Sequence, residues 1–449
     1  MSGVFKGERF VVVGMGVAGR AAARVLAEEG ASVRVTEERT DPQGIDELRS
    51  LGVEVLVGGH APSHLDGARA VVASPGVPEH APVLAWASER GIPVWSELDV
   101  GARLCRVPYA AITGTNGKST TTKLLAAMMQ AGGLDAVACG NIGHPFSVAA
   151  REEHQALSVE ASSFQLRFHH WVHPRVSVLL NVAPDHLDWH GSFDAYTDAK
   201  ARVYELQGGE DTHVGNADDP LAVTVSRAAP CRVAWFRRGD PREGEVGVVA
   251  GQIVSRLQGN TFVLGRPTLD AAGFVVDCAA AAAAGLAFGL AAEAVAEAIR
   301  TMPPLPHRGE EVARVGGVRF LDDSKATNVH AALHALEGKR GVALIAGGMA
   351  KGVDLSPLAA AIPSLVGVVA IGEAAAEVAG IFEDRVPVRE AGSIEEAVRE
   401  AYELVPPDGT VLLAPACASW DMFRDYAERG DRFAAAARRI AEEVARGEP

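Results

Sequence analysis

Tyr109-Ala110-Ala111-Ile112-Thr113-Gly114-Thr115-Asn116-Gly117-Lys118-Ser119-Thr120-Thr121-Thr122 reads as a buried strand, a glycine turn and the approach to a helix expected over Lys123 to Gln130. The amides of Gly114, Thr115, Asn116 and Gly117 can cradle phosphate oxygens at a helix N-terminus. Lys118 would neutralise charge near the β- and γ-phosphates, and Ser119, with Thr120 beside it, offers a hydroxyl to Mg²⁺. The spacing departs from the common phosphate loop, because Ile112 stands where the first glycine of G-x-x-x-x-G-K would fall. A turn of purely structural purpose has little use for Lys-Ser-Thr at that point. A phosphate-bearing ligand with Mg²⁺ is therefore the expectation at this loop.

Upstream, Phe10 to Val13 is followed by Gly14-Met15-Gly16-Val17-Ala18-Gly19, an alanine-rich helix to Gly30 and a second strand from Ser32 to Val35. This is the start of a βαβ unit, and its glycines can bring backbone amides against a diphosphate. Glu37 follows the second strand, where an acidic residue often meets a ribose. A further glycine turn, Ser74-Pro75-Gly76, follows the strand Ala70 to Ala73 and can face the same ligand. Downstream, Met302-Pro303-Pro304-Leu305-Pro306 reads as a linker. Beyond it Val342 to Ala346, Val368 to Ile371 and Val411 to Ala414 alternate with helical stretches such as Ser393 to Leu404. The run Ala279 to Ala284 reads as a buried helix face. The segmentation is 1–97, 98–302 and 303–449, each an α/β unit.

At 449 residues, 48% hydrophobic and 22% charged, the chain is long enough for two or three cores and too apolar for disorder. A formal net charge of -15 argues against nucleic acid and anionic membrane as partners, so any anion must be held locally. Cys105, Cys139, Cys231, Cys278 and Cys417 are scattered and never at CxxC spacing, which fits a reducing cytoplasm rather than a disulfide framework or a structural zinc site. Neither an export signal nor an apolar run long enough to span a membrane is read. A cytoplasmic monomer is the expectation.

Further strings extend the pattern. Gly114-Thr115-Asn116-Gly117-Lys118-Ser119, Asn141-Ile142-Gly143, Glu160-Ala161-Ser162-Ser163-Phe164-Gln165 and Asn181-Val182-Ala183-Pro184-Asp185-His186-Leu187-Asp188 occur in that order. Together with Leu305-Pro306-His307-Arg308, Asp322-Asp323-Ser324-Lys325-Ala326-Thr327-Asn328, Pro415 to Phe423 and Arg429-Gly430-Asp431-Arg432-Phe433 they resemble the Mur ligase superfamily, in its D-glutamate-adding branch. The resemblance spans nearly the whole chain. It implies a Rossmann-like N-terminal domain for a UDP-linked precursor, a central P-loop-type ATPase domain with a mostly parallel sheet, and a C-terminal Rossmann-like domain for the amino acid. The implied reaction joins D-glutamate to UDP-N-acetylmuramoyl-L-alanine through an acyl phosphate, in peptidoglycan precursor synthesis.

Carried residue by residue, the resemblance gives Lys118, His186, Lys200 and Arg308 catalytic roles. Ser119, Glu160, His186 and a carbamylated Lys200 would surround two Mg²⁺ ions. Without the family, Lys200 reads only as a lysine on a helix surface. Arg308 would meet the γ-phosphate and Asp322 the ATP ribose. Val17, Ala18, Glu37, Arg39, Ser74, Pro75 and Gly76 match positions around uracil and diphosphate, and Asn141 faces the muramoyl end. Lys325, Thr327, Lys351, Ser419 and Tyr426 match the amino-acid site, where charge-assisted bonds suit a dianion.

Several positions depart from the family pattern. Its adenine-facing His-Asn-x-x-Asn falls on Gly273-Phe274-Val275-Val276-Asp277, Glu37 replaces an aspartate, Ala18 a threonine, and Tyr426 a phenylalanine. Three rival readings are a relative adding another amino acid, a nicotinamide-dependent oxidoreductase resting on the N-terminal glycines, and a nucleotide-binding regulator without ligase activity. The Ser324 to Asn328 string opposes the first, the Gly117-Lys118-Ser119 loop the second, and the set Lys118, Glu160, His186 and Lys200 the third.

Overall fold

The computed structural model describes residues 3–257, 259–269 and 271–446. Chain contacts divide the protein into two compact units, one of residues 1–182, 189–268 and 275–302, the other of 183–188, 269–274 and 303–449. The architecture is mixed α/β with three mostly parallel sheets.

The first unit holds two sheets. In the first, β1 (Arg9–Val13), β2 (Ser32–Glu37), β3 (Glu54–Val57), β4 (Ala70–Ala73) and β5 (Val94–Trp95) are ordered β3-β2-β1-β4-β5, with every pairing parallel. Phe10 to Val13 are fully buried, as parallel strands covered on both faces require, which is why they read as an unbroken apolar run. Chain order reverses between β1 and β4, so the turns after these two strands open into one crevice. Gly19 is there for close packing: a Cβ on it would stand 2.1 Å from the Gly14 carbonyl oxygen.

The second sheet comprises β6 (Tyr109–Thr113), β7 (Ala136–Gly140), β8 (Ala156–Glu160), β9 (Val176–Leu179), β10 (Thr212–Asn216), β11 (Arg232–Arg238), β12 (Glu245–Val249), β13 (Gln252–Ser255) and β14 (Phe262–Gly265). Its order is β14-β13-β12-β11-β10-β9-β6-β8-β7, parallel except for the meander β12 to β14. In the second unit, β15 (Glu310–Val315), β16 (Val318–Asp322), β17 (Val342–Gly347), β18 (Leu365–Ile371), β19 (Val388–Ala391) and β20 (Thr410–Ala416) are ordered β15-β16-β20-β17-β18-β19, with only β15 antiparallel.

Three local readings change. The helix expected from Lys123 runs from Lys118 to Ala131, because Gly117 turns the chain at φ 83 and Lys118 to Thr122 form the first helical turns despite their β-branched threonines. Glu37 closes β2 instead of following it. The strands β10 to β14 were not expected; β10 and β12 to β14 are only four or five residues long, and Gly239, Gly244 and Gly251 punctuate the stretch around β12. The run Ala279 to Ala284 lies fully buried in the helix Ala272–Phe288. Among the described residues no helix is long and apolar enough to cross a membrane.

The helix Glu97–Leu104 ties parts of the first unit together through two buried carboxylates. Asp99 accepts the N–H groups of Ser96 at 2.9 Å, His170 at 2.6 Å and Trp171 at 2.9 Å. Glu97 Oε1 accepts the Ser147 N–H at 2.6 Å, while its Oε2 meets no donor. Burial pushes the Glu97 carboxyl from 4.5 up to about 7, against the lowering effect of Ser147. The folded chain thus holds this proton more tightly than the unfolded one. Its contribution to stability is full below 4.5 and is lost as pH rises through about 7. Urea unfolding midpoints compared at about pH 5 and about pH 8 should show a fall that shrinks in Glu97→Gln. An identical fall in both proteins would contradict the assignment.

Candidate functional site

β6 lies between β8 and β9, where chain order reverses, so the loop after it leaves the sheet at the position where open parallel sheets bind ligands. Gly117 is required there on two grounds, its φ of 83 and its approach to Asp277, whose Oδ1 would stand 2.2 Å from a Cβ. Gly117 has no side chain with which to cap the helix it opens, so the helix starts on backbone alone, with its positive dipole end at the loop. Asn181, just past β9, shapes the loop. Its Oδ1 accepts the N–H groups of Thr115 at 3.1 Å and Asn116 at 2.8 Å, and its Nδ2 donates to the Asn116 carbonyl at 3.2 Å.

Two ammonium groups converge on this loop. Lys118 Nζ donates to the Gly114 and Thr115 carbonyls, both at 2.9 Å, and Lys200 Nζ donates to the Gly114 carbonyl at 2.7 Å. Lys200 belongs to the helix Phe193–Ala201 and sits 4.3 Å from the centre of the Tyr196 ring. It is 1% exposed, which corrects the surface-lysine reading: Lys200 lies on the buried face of that helix with Tyr196, Thr197 and Ala199, while Asp194 and Asp198 stay exposed. Ser119 is half-buried at the second helical position and Thr120 is buried beside it. Glu160 closes β8, buried, with Oε1 accepting Asn141 Nδ2 at 3.0 Å and Oε2 meeting no donor. A buried carboxylate oxygen without a donor is costly, and a cation relieves that cost. Among the described residues no three His, Cys, Asp or Glu side chains gather around one point. The site therefore fits a divalent ion held by Glu160 together with hydroxyl, water and phosphate oxygens, the donor set that Mg²⁺ favours.

In the crevice of the first sheet the carboxylate of Glu37 is taken by its own chain. Oε2 accepts the Met15 N–H at 2.6 Å and Arg39 Nη2 at 3.1 Å, and Oε1 accepts the Arg39 N–H and Nε, both at 3.0 Å. Burial pushes this carboxyl up, but the donors of Arg39 and Met15 outweigh it and hold the group at about 2. Glu37 thus props the glycine turn, and Arg39, its side chain 62% exposed, is the group that faces outward. Val17 and Ala18 begin the helix Val17–Glu28, again without a side-chain cap, and Ser74 packs against Gly16 with Pro75 and Gly76 more exposed than it.

In the second unit the loops after β16, β20 and β17 carry the remaining candidates. Asp322 is fully buried, with Oδ2 2.7 Å from His307 Nδ1 and Oδ1 accepting the Ser324 N–H at 2.9 Å. Burial raises its pKa, with His307 opposing. Both oxygens therefore shape the loop beside half-buried Arg308. Lys351, at φ 56, donates to Asp185 Oδ1 at 2.6 Å, and Asn328 Nδ2 reaches Asp185 Oδ2 at 3.2 Å. His186, at φ 53, is the neighbour of that carboxylate and is 28% exposed. Lys325 Nζ lies 3.7 Å from the centre of the Tyr426 ring, Ser419 is buried, and Thr327 is half-buried.

Sequence reasoning quoted Asn181 and Asp185 within a motif but gave them no role. Each acts on atoms distant in sequence, a pairing that a linear pattern does not encode. Asn181→Ala should loosen the loop and weaken binding of a fluorescent ATP analogue by roughly tenfold, since the Asn116 N–H loses its acceptor and the Asn116 carbonyl its donor, while Thr115 keeps the main-chain carbonyl of residue 181. Unchanged affinity would show that the loop holds its shape without Asn181.

Comparison with known proteins agrees with this geometry. Residues 8–96 match the family described as Mur ligase MurD-like, N-terminal domain, residues 112–264 the Mur ligase middle domain, and residues 307–417 the Mur ligase, glutamate ligase domain. The chain is 43% identical over 448 residues to a UDP-N-acetylmuramoylalanine–D-glutamate ligase of Frankia casuarinae, covering 95% of this chain and 93% of that one. Among solved structures, a pseudomurein peptide ligase type C from Methanothermus fervidus shares the fold at a TM-score of 0.62 and 20% identity, covering 97% of this chain and 100% of the other. A MurF ligase from Thermotoga maritima in complex with ADP does so at 0.61 and 15%, covering 99% and 100%. Near-full-length identity at that level, with all three domain families matched in order, shows that the chain belongs to the Mur ligase family, among the UDP-N-acetylmuramoylalanine–D-glutamate ligases.

Proposed function

We propose that the protein joins D-glutamate to UDP-N-acetylmuramoyl-L-alanine at the expense of ATP, in peptidoglycan precursor synthesis. The γ-phosphoryl group of ATP passes to the alanyl carboxylate, ADP leaves, and the amine of D-glutamate attacks the acyl phosphate and expels inorganic phosphate. The observation that carries this reading is the meeting of Lys118 and Lys200 on the Gly114 carbonyl beneath an uncapped helix N-terminus. Phosphoryl transfer asks for fixed charge at that point, because catalysis there is mainly positioning and charge stabilisation: Lys118 supplies a cation, and Lys200, once carbamylated, an anionic ligand for the metal.

Gly114 to Thr120 hold the phosphates, and Lys118 and Arg308 stabilise the group in transfer. Ser119 and Glu160 would hold Mg²⁺, and His186 with a carbamylated Lys200 would serve a second ion. Magnesium, when bound, would draw charge from the β- and γ-oxygens and align them for displacement. Residues 1–97 bind the UDP-linked precursor through Val17, Ala18, Arg39 and Ser74 to Gly76, with Glu37 as their prop, and Asn141 meets its muramoyl end. Residues 98–302 bind ATP, with Asp322 near the ribose. Residues 303–449 bind the amino acid through Lys325, Thr327, Lys351, Ser419 and Tyr426. The linker at Met302 coincides with the edge of the first compact unit, which supports that boundary. ATP and a UDP-linked precursor place the work in the cytoplasm, and the chain is taken to act as a monomer.

Phosphate release from ATP, measured with UDP-N-acetylmuramoyl-L-alanine and each of D-glutamate, L-glutamate, L-alanine and diaminopimelate, tests the reading. Release with D-glutamate alone supports it, and release with another amino acid overturns the specificity. Lys118→Ala should abolish ligation yet leave binding of the UDP-linked precursor intact; loss of both would refute the division of labour. Lys200→Ala should lose activity that bicarbonate does not restore and a short carboxylate partly does, whereas full activity would refute the carbamate.

A further inference from the structure

Arg429 is the largest fully buried side chain of the protein, 0% exposed on the helix Tyr426–Ala445. Its guanidinium donates from Nε to Ser324 Oγ at 3.0 Å, from Nη2 to the Ser324 carbonyl at 2.9 Å, from Nη1 and Nη2 to the Cys417 carbonyl at 3.2 Å each, and from Nη1 to the Ala418 carbonyl at 3.4 Å. Ser324 Oγ passes the chain on, donating to the Tyr426 carbonyl at 2.7 Å. All these acceptors are neutral, and among the described residues no carboxylate forms a salt bridge with Arg429.

A buried cation with no carboxylate in salt-bridge contact, only the more distant charges of Asp421 and Asp322, is a poor stabiliser, and an apolar side chain of similar volume would serve a core better. What the guanidinium supplies is geometry: a planar fork with five donors in fixed directions, which a lysine cannot reproduce. One arm of the fork holds the loop after β16, one residue before Lys325 and three before Thr327. The other holds the loop after β20 on the two residues preceding Ser419. That second loop is joined to the one after β17 by a reciprocal backbone pair, Met349 N–H to the Ala418 carbonyl at 3.0 Å and Ala418 N–H to the Met349 carbonyl at 2.9 Å, two residues before Lys351. Thr327, Ser419 and Lys351 come from three loops, and Arg429 lies where their backbones meet.

We infer that Arg429 is a positioning residue for the amino-acid site: it holds the three loops that carry Thr327, Ser419 and Lys351 at one mutual spacing and does not touch the amino acid itself. The inference rests on the assignment of those three residues to the amino acid. A role in positioning predicts a selective kinetic defect, since small displacements of binding groups weaken one substrate while leaving distant sites intact. Arg429→Lys keeps the charge and loses the fork. Its KM for D-glutamate should rise by roughly tenfold or more, with the KM values for ATP and the UDP-linked precursor within about twofold of wild type. Equal KM values for D-glutamate, or a parallel rise for all three substrates, would overturn the inference. Should Arg429→Lys prove insoluble, Arg429→Ala with added guanidinium chloride at non-denaturing concentration carries the test. Recovery of the D-glutamate KM supports the inference, and a KM indifferent to guanidinium overturns it. If wild type ligates a different amino acid, the functional reading fails on its own, and the KM for that amino acid is read in the variants instead.

Discussion

The N-terminus of the helix Lys118–Ala131 has no side-chain cap, and its amides must find partners outside the helix. In a chain of formal net charge -15, an anion can be held only where backbone dipoles and a few cations are aimed at one point. The loop Gly114 to Gly117 is built for such a point: the Lys118 ammonium and Lys200 Nζ meet on a single carbonyl oxygen, and Asn181 Oδ1 fixes the amides of Thr115 and Asn116. Much of the first unit follows from holding that arrangement. β6 must be central so that β8 can offer Glu160 on one side and β9 Asn181 on the other, and the helix Phe193–Ala201 must pack tightly enough to bury Lys200.

The second unit meets a related demand with different means. Its loops carry cations that are not left bare inside the protein. Lys351 is held by Asp185, and Arg429 spends its donors on loop carbonyls. Lys351 and His186 both lie in the left-handed region that L-residues avoid. Strain of that kind persists where surrounding structure fixes it, and it is concentrated at binding and catalytic sites.

Legibility in the sequence followed the range of each interaction. β1, β4, β6, β17 and β20 were visible because strands buried on both faces are written as unbroken apolar runs. The phosphate loop was visible because its glycines, lysine and serine are contiguous. The helix start at Lys118 was misplaced, since Thr120 to Thr122 favour strands by propensity while the left-handed turn at Gly117 and the packing of the helix override it. The burial of Lys200 was invisible, for its partner Gly114 lies 86 residues away. Glu37 was located but its bonding was not: an acidic residue after β1's partner strand looks the same whether it meets a ribose or, as here, its own chain. The meander β12 to β14 offered only short strands split by glycines.

In the proposed reaction the phosphoryl group is delivered to a carboxylate. UDP-N-acetylmuramoyl-L-alanine labelled with ¹⁸O in its terminal carboxylate, turned over with ATP and D-glutamate, tests this directly by mass analysis of the released phosphate. Formation of an acyl phosphate leaves one carboxylate oxygen in the phosphate, so the account predicts phosphate carrying a single ¹⁸O. Unlabelled phosphate would mean that ATP is split by water and that the carboxylate is never activated.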